Sequence, residues 1–94
     1  MTSAISDDPI RELWSRATGR VIRARRLELG LTYIAAAERC EVRHNHFCLY
    51  EGGHALPKLP TLATIAQALE WSTDELVRRI EAAAFPTTDP GDTP

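Results

Sequence analysis

Apolar side chains recur at every third or fourth position along this chain, and each such run is fenced by a capping residue, a glycine or a proline. That rhythm belongs to amphipathic helices. A half-buried strand needs strict alternation, which no stretch here provides, so the chain is read as all-α. The first run places Ile10, Leu13, Trp14, Ala17, Val21 and Ile22 on one stripe and continues to Leu29. Asp8 can cap its free amides, Pro9 suits the first helical position, and Gly30 ends it, with Gly19 as a weak point inside. Thr32 caps a short second segment through Arg39, whose alanines at 35, 36 and 37 allow close helix approach. After the brief connection Cys40-Glu41-Val42, a third helix is predicted from Arg43 or His44 to about Glu51, stopped by Gly52-Gly53. The segment from His54 to Pro60 holds two prolines and reads as a loop. A fourth helix over Thr61–Leu69 follows, with Leu62, Ile65, Ala66 and Leu69 on its stripe. Ser72-Thr73-Asp74-Glu75 has the form of a capping box, the serine accepting the amide of Glu75 and the Glu75 carboxylate reaching back to the Ser72 amide. It opens a fifth helix with Leu76, Val77 and Ile80 as its apolar face.

Ninety-four residues, 44% of them hydrophobic and 26% charged, suffice for one ordinary globular core and not for two. The organisation expected is an N-terminal arm over residues 1–8, a five-helix domain over 9–85 and a tail over 86–94. That tail has three prolines and no apolar side chain, so it is predicted to stay disordered. No run of roughly 18 uncharged apolar residues occurs, and Asp7 and Asp8 stand where a secretory leader would be basic. A cytoplasmic chain without membrane association is expected, with Cys40 and Cys48 as reduced thiols.

The formal net charge of −2 hides an asymmetry. Residues 10–49 hold eight arginines against four glutamates, while both flanks are acidic. Such polarity suggests one face that meets an anion; a solvated arginine-rich helix with no partner is the competing reading. Two short helices joined by a tight turn give the basic part a physical use. The first braces the second, which can enter a major groove of roughly 12 Å and show base edges the side chains of its first turns.

From Gly19 to about Leu76 the sequence resembles the lambdoid phage repressor and xenobiotic-response-element (Cro/C1-type) helix-turn-helix family. The residues that carry the resemblance are Gly19, Ile22 and Arg26, then Gly30-Leu31-Thr32, Ala37, Val42, Glu51, Gly53 and Pro57. They continue in Thr61-Leu62-x-x-Ile65-Ala66-x-Ala68-Leu69 and Ser72-x-Asp74-Glu75-Leu76. The resemblance implies a five-helix repressor-like domain, here with an extended first helix, and a sequence-specific DNA-binding transcriptional regulator of bacterial or phage origin, a repressor acting as a dimer. It also implies an ion pair between Arg26 and Glu51 that orients the third helix.

Four positions depart from the family pattern. Tyr33 stands in place of glutamine at the start of helix 2, and its phenol can still bond a phosphate. Glu41 stands where glycine usually makes the turn; a left-handed glutamate costs about 1 kcal/mol, so a different turn is one outcome. Ala36 replaces a leucine and Phe47 replaces a smaller aliphatic, a trade of volume that can compensate within one interface.

Read by position, His44, Asn45, Cys48 and Leu49 are the candidate base contacts. Asn45 suits a bidentate pair with adenine, His44 a guanine acceptor and Leu49 a thymine methyl. Arg26, Thr32, Tyr33, Arg43, His46, His54 and Lys58 are the candidate phosphate contacts. All three histidines lie within eleven residues on this side, where protonation would add positive charge. Cys40, His44, His46 and Cys48 lack the paired spacing of structural zinc sites, so no metal or other cofactor is expected. Val77, Ile80 and Phe85 are the candidate dimer or partner surface, with core packing as the alternative. Trp14 is expected to cap the core against helix 5 near Trp71.

With no room for a sensor domain, regulation is expected through concentration, a protein partner or proteolysis. Nothing resembles a catalytic constellation: Gly52-Gly53 lacks the lysine and hydroxyl of a phosphate-binding loop, so an enzyme is not expected. The alternative function on the same fold is a protein-interaction module, an antitoxin or adaptor that binds another regulator through Tyr33, Ile34 and Leu49.

Overall fold

A computed structural model describes residues 8–86. Those residues form five helices and no strand: α1 (Pro9–Glu28), α2 (Tyr33–Cys40), α3 (His44–Glu51), α4 (Leu59–Ala68) and α5 (Thr73–Ala84). The predicted arm and tail lie outside this range, apart from Asp8 and Pro86. Asp8 belongs to the domain as the cap of α1, its carboxylate accepting from the amides of Ile10 and Arg11 at 3.0 and 3.3 Å.

Three of the five starts follow the local chemistry of the sequence. Asp8, Thr32 and Ser72 each sit in extended backbone and each accept a first-turn amide. The capping box before α5 forms only by half. Ser72 Oγ accepts from the Glu75 amide at 3.0 Å, but the Glu75 carboxylate turns forward to Arg79 Nε at 2.6 Å. An ion pair one turn ahead outcompetes a neutral amide for the same oxygen.

Helix α4 starts earlier than the sequence suggests. Lys58 is its cap residue and Leu59-Pro60 form its first turn, which the prolines had made look like loop. First-turn amides have no partner inside the helix, so a proline there forfeits nothing. The end of α4 also comes early, because Glu70 takes a left-handed φ of 66° and turns the chain away.

The core is assembled from every helix. Ile22, Phe47, Ile65, Leu69 and Leu76 are fully buried, and α2 adds Ala36, Ala37 and Cys40. Each large aliphatic side chain removed from water stabilises by about 1.5–3 kcal/mol, whereas the small residues of α2 let it lie close against α3 and α4. Ala36 and Phe47 are both completely buried in one cluster, as the expected exchange of volume requires. Burial pushes the Cys40 thiol up to about 11 against the opposing pull of Arg39, so it packs as a neutral apolar group.

Helix α1 packs chiefly on α5 and then on α3. On the α5 side Trp14 meets Phe85 edge to face, with ring centroids 5.5 Å apart. The expected neighbour, Trp71, is engaged elsewhere: the guanidiniums of Arg25 and Arg79 each lie 4.7 Å from its ring centroid. Ile80, a candidate for the dimer surface, is 3% exposed and belongs to the core. Periodicity assigned it to the apolar face of α5 correctly, but α1 already covers that face. No helix among the described residues is long and apolar enough to cross a membrane.

Candidate nucleic-acid interface

The connection from α2 to α3 is set by backbone bonds. Glu41 adopts φ 58° and ψ 37°, its amide bonds back to Glu38 O at 3.1 Å, and Val42 bonds to Ala37 O at 3.0 Å. This is the glycine-type helix stop, built with a glutamate. The departure at Glu41 therefore leaves the geometry of the turn unchanged and places its cost in local backbone strain.

Helix α3 has one fully buried side chain, Phe47. The 100° step of an α-helix puts Asn45 and Leu49 on the side roughly opposite Phe47, with Cys48 and His46 flanking them. His44, Asn45, His46, Cys48 and Leu49 are all exposed. A helix with so little of itself in the core has to be held from its ends.

The C-terminal end is held twice. Arg26 and Glu51 form a two-point pair, Nε to Oε2 at 2.5 Å and Nη2 to Oε1 at 3.2 Å, with side chains only 10% and 11% exposed. Arg26 Nη1 also donates to Leu31 O at 2.8 Å, which joins α1, the α1–α2 link and α3 at one point. Close by, the absent side chain of Gly19 makes the second hold. A Cβ there would collide with the Glu51 carbonyl oxygen and come within 2.9 Å of the Tyr50 carbonyl oxygen. Gly19 is thus the site where α1 meets the end of α3 backbone to backbone.

The candidate phosphate contacts are distributed unevenly. Arg43 stands at the N-terminus of α3, next to the candidate base contacts His44 and Asn45. Thr32 and Tyr33 lie at the N-terminus of α2, where the Thr32 hydroxyl accepts the Ala35 amide at 3.0 Å. His46 and Lys58 share a recess of about 290 Å³ with Leu49 and Tyr50, between α3 and the loop into α4. His54 sits at the other end of α3, with its ring over Gly52. Arg26 lies beneath the surface with its donors turned to Glu51 and Leu31. It is a brace, and burial removes it from the group of candidate phosphate contacts.

Ion pairing is uneven over the molecule. Arg16, Arg25, Arg39, Arg78 and Arg79 each have a carboxylate within 4 Å, as does Arg26. Among the described residues no such partner stands beside Arg43, His44, His46, His54 or Lys58, nor beside Arg11, Arg20 and Arg23 of α1, of which Arg20 donates to Ala83 O at 3.2 Å. The described residues also contain no group of three or more metal-ligating side chains.

Two features escaped the sequence reading. The Trp71 clamp joins Arg25 and Arg79, residues too far apart in sequence for any local pattern to link. The other had a visible signal: Arg43 offers no side-chain acceptor at the start of α3, and a short polar residue in the first turn can supply one. It is Asn45, whose Oδ1 accepts from the His46 amide at 3.0 Å.

Residues 17–81 match the helix-turn-helix domain family. The chain belongs to that family. Crystal structures of the clp gene regulator ClgR from Corynebacterium glutamicum share the fold of this helix-turn-helix domain. One superposes with a TM-score of 0.70 at 22% identity, covering 76% of each chain. A second gives 0.68 at 23% identity over 74% of this chain and 91% of the other. No curated protein matches the sequence.

Proposed function

We propose that this helix-turn-helix protein is a sequence-specific DNA-binding transcriptional regulator of the lambdoid or xenobiotic-response-element type, which represses by occupying an operator with α3 in the major groove. The observation that carries the reading is the outward side of α3. It presents His44, Asn45 and His46 beside the exposed Cys48 and Leu49, has no carboxylate within 4 Å of Arg43 or Lys58 among the described residues, and is braced from behind by Arg26, Glu51 and Gly19. His44, Asn45, Cys48 and Leu49 face bases, while Arg43, Thr32, Tyr33, His46, His54 and Lys58 meet phosphates. Family membership supports the reading, and so does the likeness of fold to a protein described as a gene regulator.

A single unit of this size reads few base pairs, so the working form is a homodimer on a two-fold site. Val77, 38% exposed, borders an apolar groove of about 260 Å³ with Trp14, Leu56, Leu59 and Leu62, and Phe85, 48% exposed, packs edge to face on Trp14. That groove, with the buried Ile80 among its lining residues, is the subunit contact in this reading. The task is binding rather than catalysis.

The exposure of Tyr33 and Ile34, 41% each, favours a second reading in which the chain is an adaptor for another regulator. One experiment separates the two. Replacing Arg43 and Asn45 together with alanine abolishes retention of a selected duplex under the first reading and leaves a protein complex intact under the second, measured by fluorescence anisotropy and by co-elution.

A further inference from the structure

The outer side of α1 carries charge that the fold leaves open. Arg16, Arg20 and Arg23 are all exposed, and the 100° step of the helix keeps them within about 60° of one another, in one stripe about 10 Å long. Among the described residues Arg20 and Arg23 have no carboxylate partner, and Arg20 spends one N–H, from Nη2, on Ala83 O. Arg16 bonds Glu12 at 2.9 Å, but both side chains are more than half exposed, so solvent screens the pair and a stronger anion can displace it. The stripe begins where α3 ends. Gly19, which meets the last residues of α3 backbone to backbone, lies on the adjoining flank of α1. A Cβ added to Gly53, two residues beyond α3, would stand 3.2 Å from Arg16 Cα and 3.5 Å from its Cγ. His54 follows at once, so the open charge around α3 and that on α1 meet at this turn.

We propose that Arg16, Arg20 and Arg23 form a second DNA-binding element, a track on α1 for phosphates of the same duplex that α3 reads. This rests on the DNA-binding reading above and deepens it. Helix α3 and its borders bring one arginine, Arg43, and one lysine, Lys58, a thin supply of fixed charge for holding a polyanion. The stripe on α1 adds three guanidiniums, each a planar fork of donors suited to phosphate oxygens. One strand of a duplex carries a phosphate about every 3.4 Å of its axis, so a stripe of about 10 Å matches about three of them. Charge and continuity with the α3 side therefore both name the duplex as occupant. Contacts to phosphate carry no sequence information, so the track raises affinity for every duplex and leaves the choice of bases to α3.

The test selects bound sequences from random duplexes with the wild type and with the double variant Arg20→Ala/Arg23→Ala, then titrates the affinity of each protein for the selected duplex with salt. The double variant should select the same motif and show a salt slope shallower by about 1.8, two phosphate contacts. Arg20→Lys/Arg23→Lys keeps the charge and should keep the slope. Arg11→Ala removes a charge that nine residues, a half-turn in projection, place on the opposite side of α1 from Arg20, and should leave the slope unchanged. If the double variant does not fold, Arg23→Ala alone, which breaks no bond within the described domain, should lower the slope by about 0.9. Equal slopes for the wild type and the alanine variants, an equal loss from Arg11→Ala, or a changed motif would overturn the proposal. A wild type that binds no duplex would instead sink the DNA-binding reading, an outcome distinct from a wild type that binds and is indifferent to Arg20 and Arg23.

Discussion

On α5 every basic side chain is answered within the protein. Arg78 bonds Asp74 and Arg79 bonds Glu75, each one turn away, and Arg79 also stacks on Trp71 opposite Arg25. Around α3, Arg43 and Lys58 carry the same charge with no carboxylate beside them among the described residues. The two helices are also held in opposite ways. Helix α5 buries Leu76, Ile80 and Ala84 along its length and starts from a serine cap, whereas α3 buries Phe47 and is gripped at its ends by Asn45, Glu51 and the contact at Gly19. Neutralised charge on a well-packed helix makes scaffold. Unanswered charge on an end-held helix makes a surface with something left to bind. The net charge of −2 over the whole chain reveals neither arrangement.

Breaking the end hold should have the largest effect. Glu51→Ala strands the Arg26 guanidinium in a site where it is only 10% exposed, and stability should fall by about 3–5 kcal/mol in urea unfolding. A loss below about 1 kcal/mol would mean that α3 does not depend on this brace. Gly19→Ala should cost about 1–3 kcal/mol, because the collision is with α3 backbone that has no rotamer to move, and it outweighs the gain in helix propensity. A midpoint that rises instead would show that the two helices are free to separate.

A substitution at the turn should sharpen the contrast by changing strain without touching the outward side. Glu41→Gly relieves a left-handed side chain and should stabilise by about 1 kcal/mol in the same assay. The smallest effect belongs to the scaffold helix. Arg78→Ala removes a pair whose side chains are both more than half exposed, so stability should stay within about 0.5 kcal/mol and duplex affinity should not change. A weaker duplex complex from this variant would place DNA contacts on α5 and erase the distinction between the two helices.

The sequence made some of these features legible and hid others for physical reasons. Caps at Asp8, Thr32 and Ser72 are local chemistry and were readable. So was the partnership of Arg26 with Glu51, through the resemblance, although its burial was not, because burial depends on what α1 and α3 enclose. Ile80 shows the same limit: its stripe was evident, while the helix that covers the stripe was not. The onset of α4 was misplaced because Pro57 and Pro60 are equally at home in a loop and in a first helical turn. The site was readable as a set of residues on α3. The bond from the His46 amide to Asn45 Oδ1 was not, since Arg43 and Asn45 do not form a familiar capping pattern.

Affinity for a labelled duplex pool, titrated with salt for the wild type and for Arg43→Ala side by side, tests the division between the two helices most directly. The account predicts that the logarithm of affinity falls linearly with the logarithm of salt, and that Arg43→Ala binds more weakly with a slope shallower by about 0.9, one phosphate contact. A wild type that ignores every duplex at low ionic strength, or two identical slopes, would contradict it.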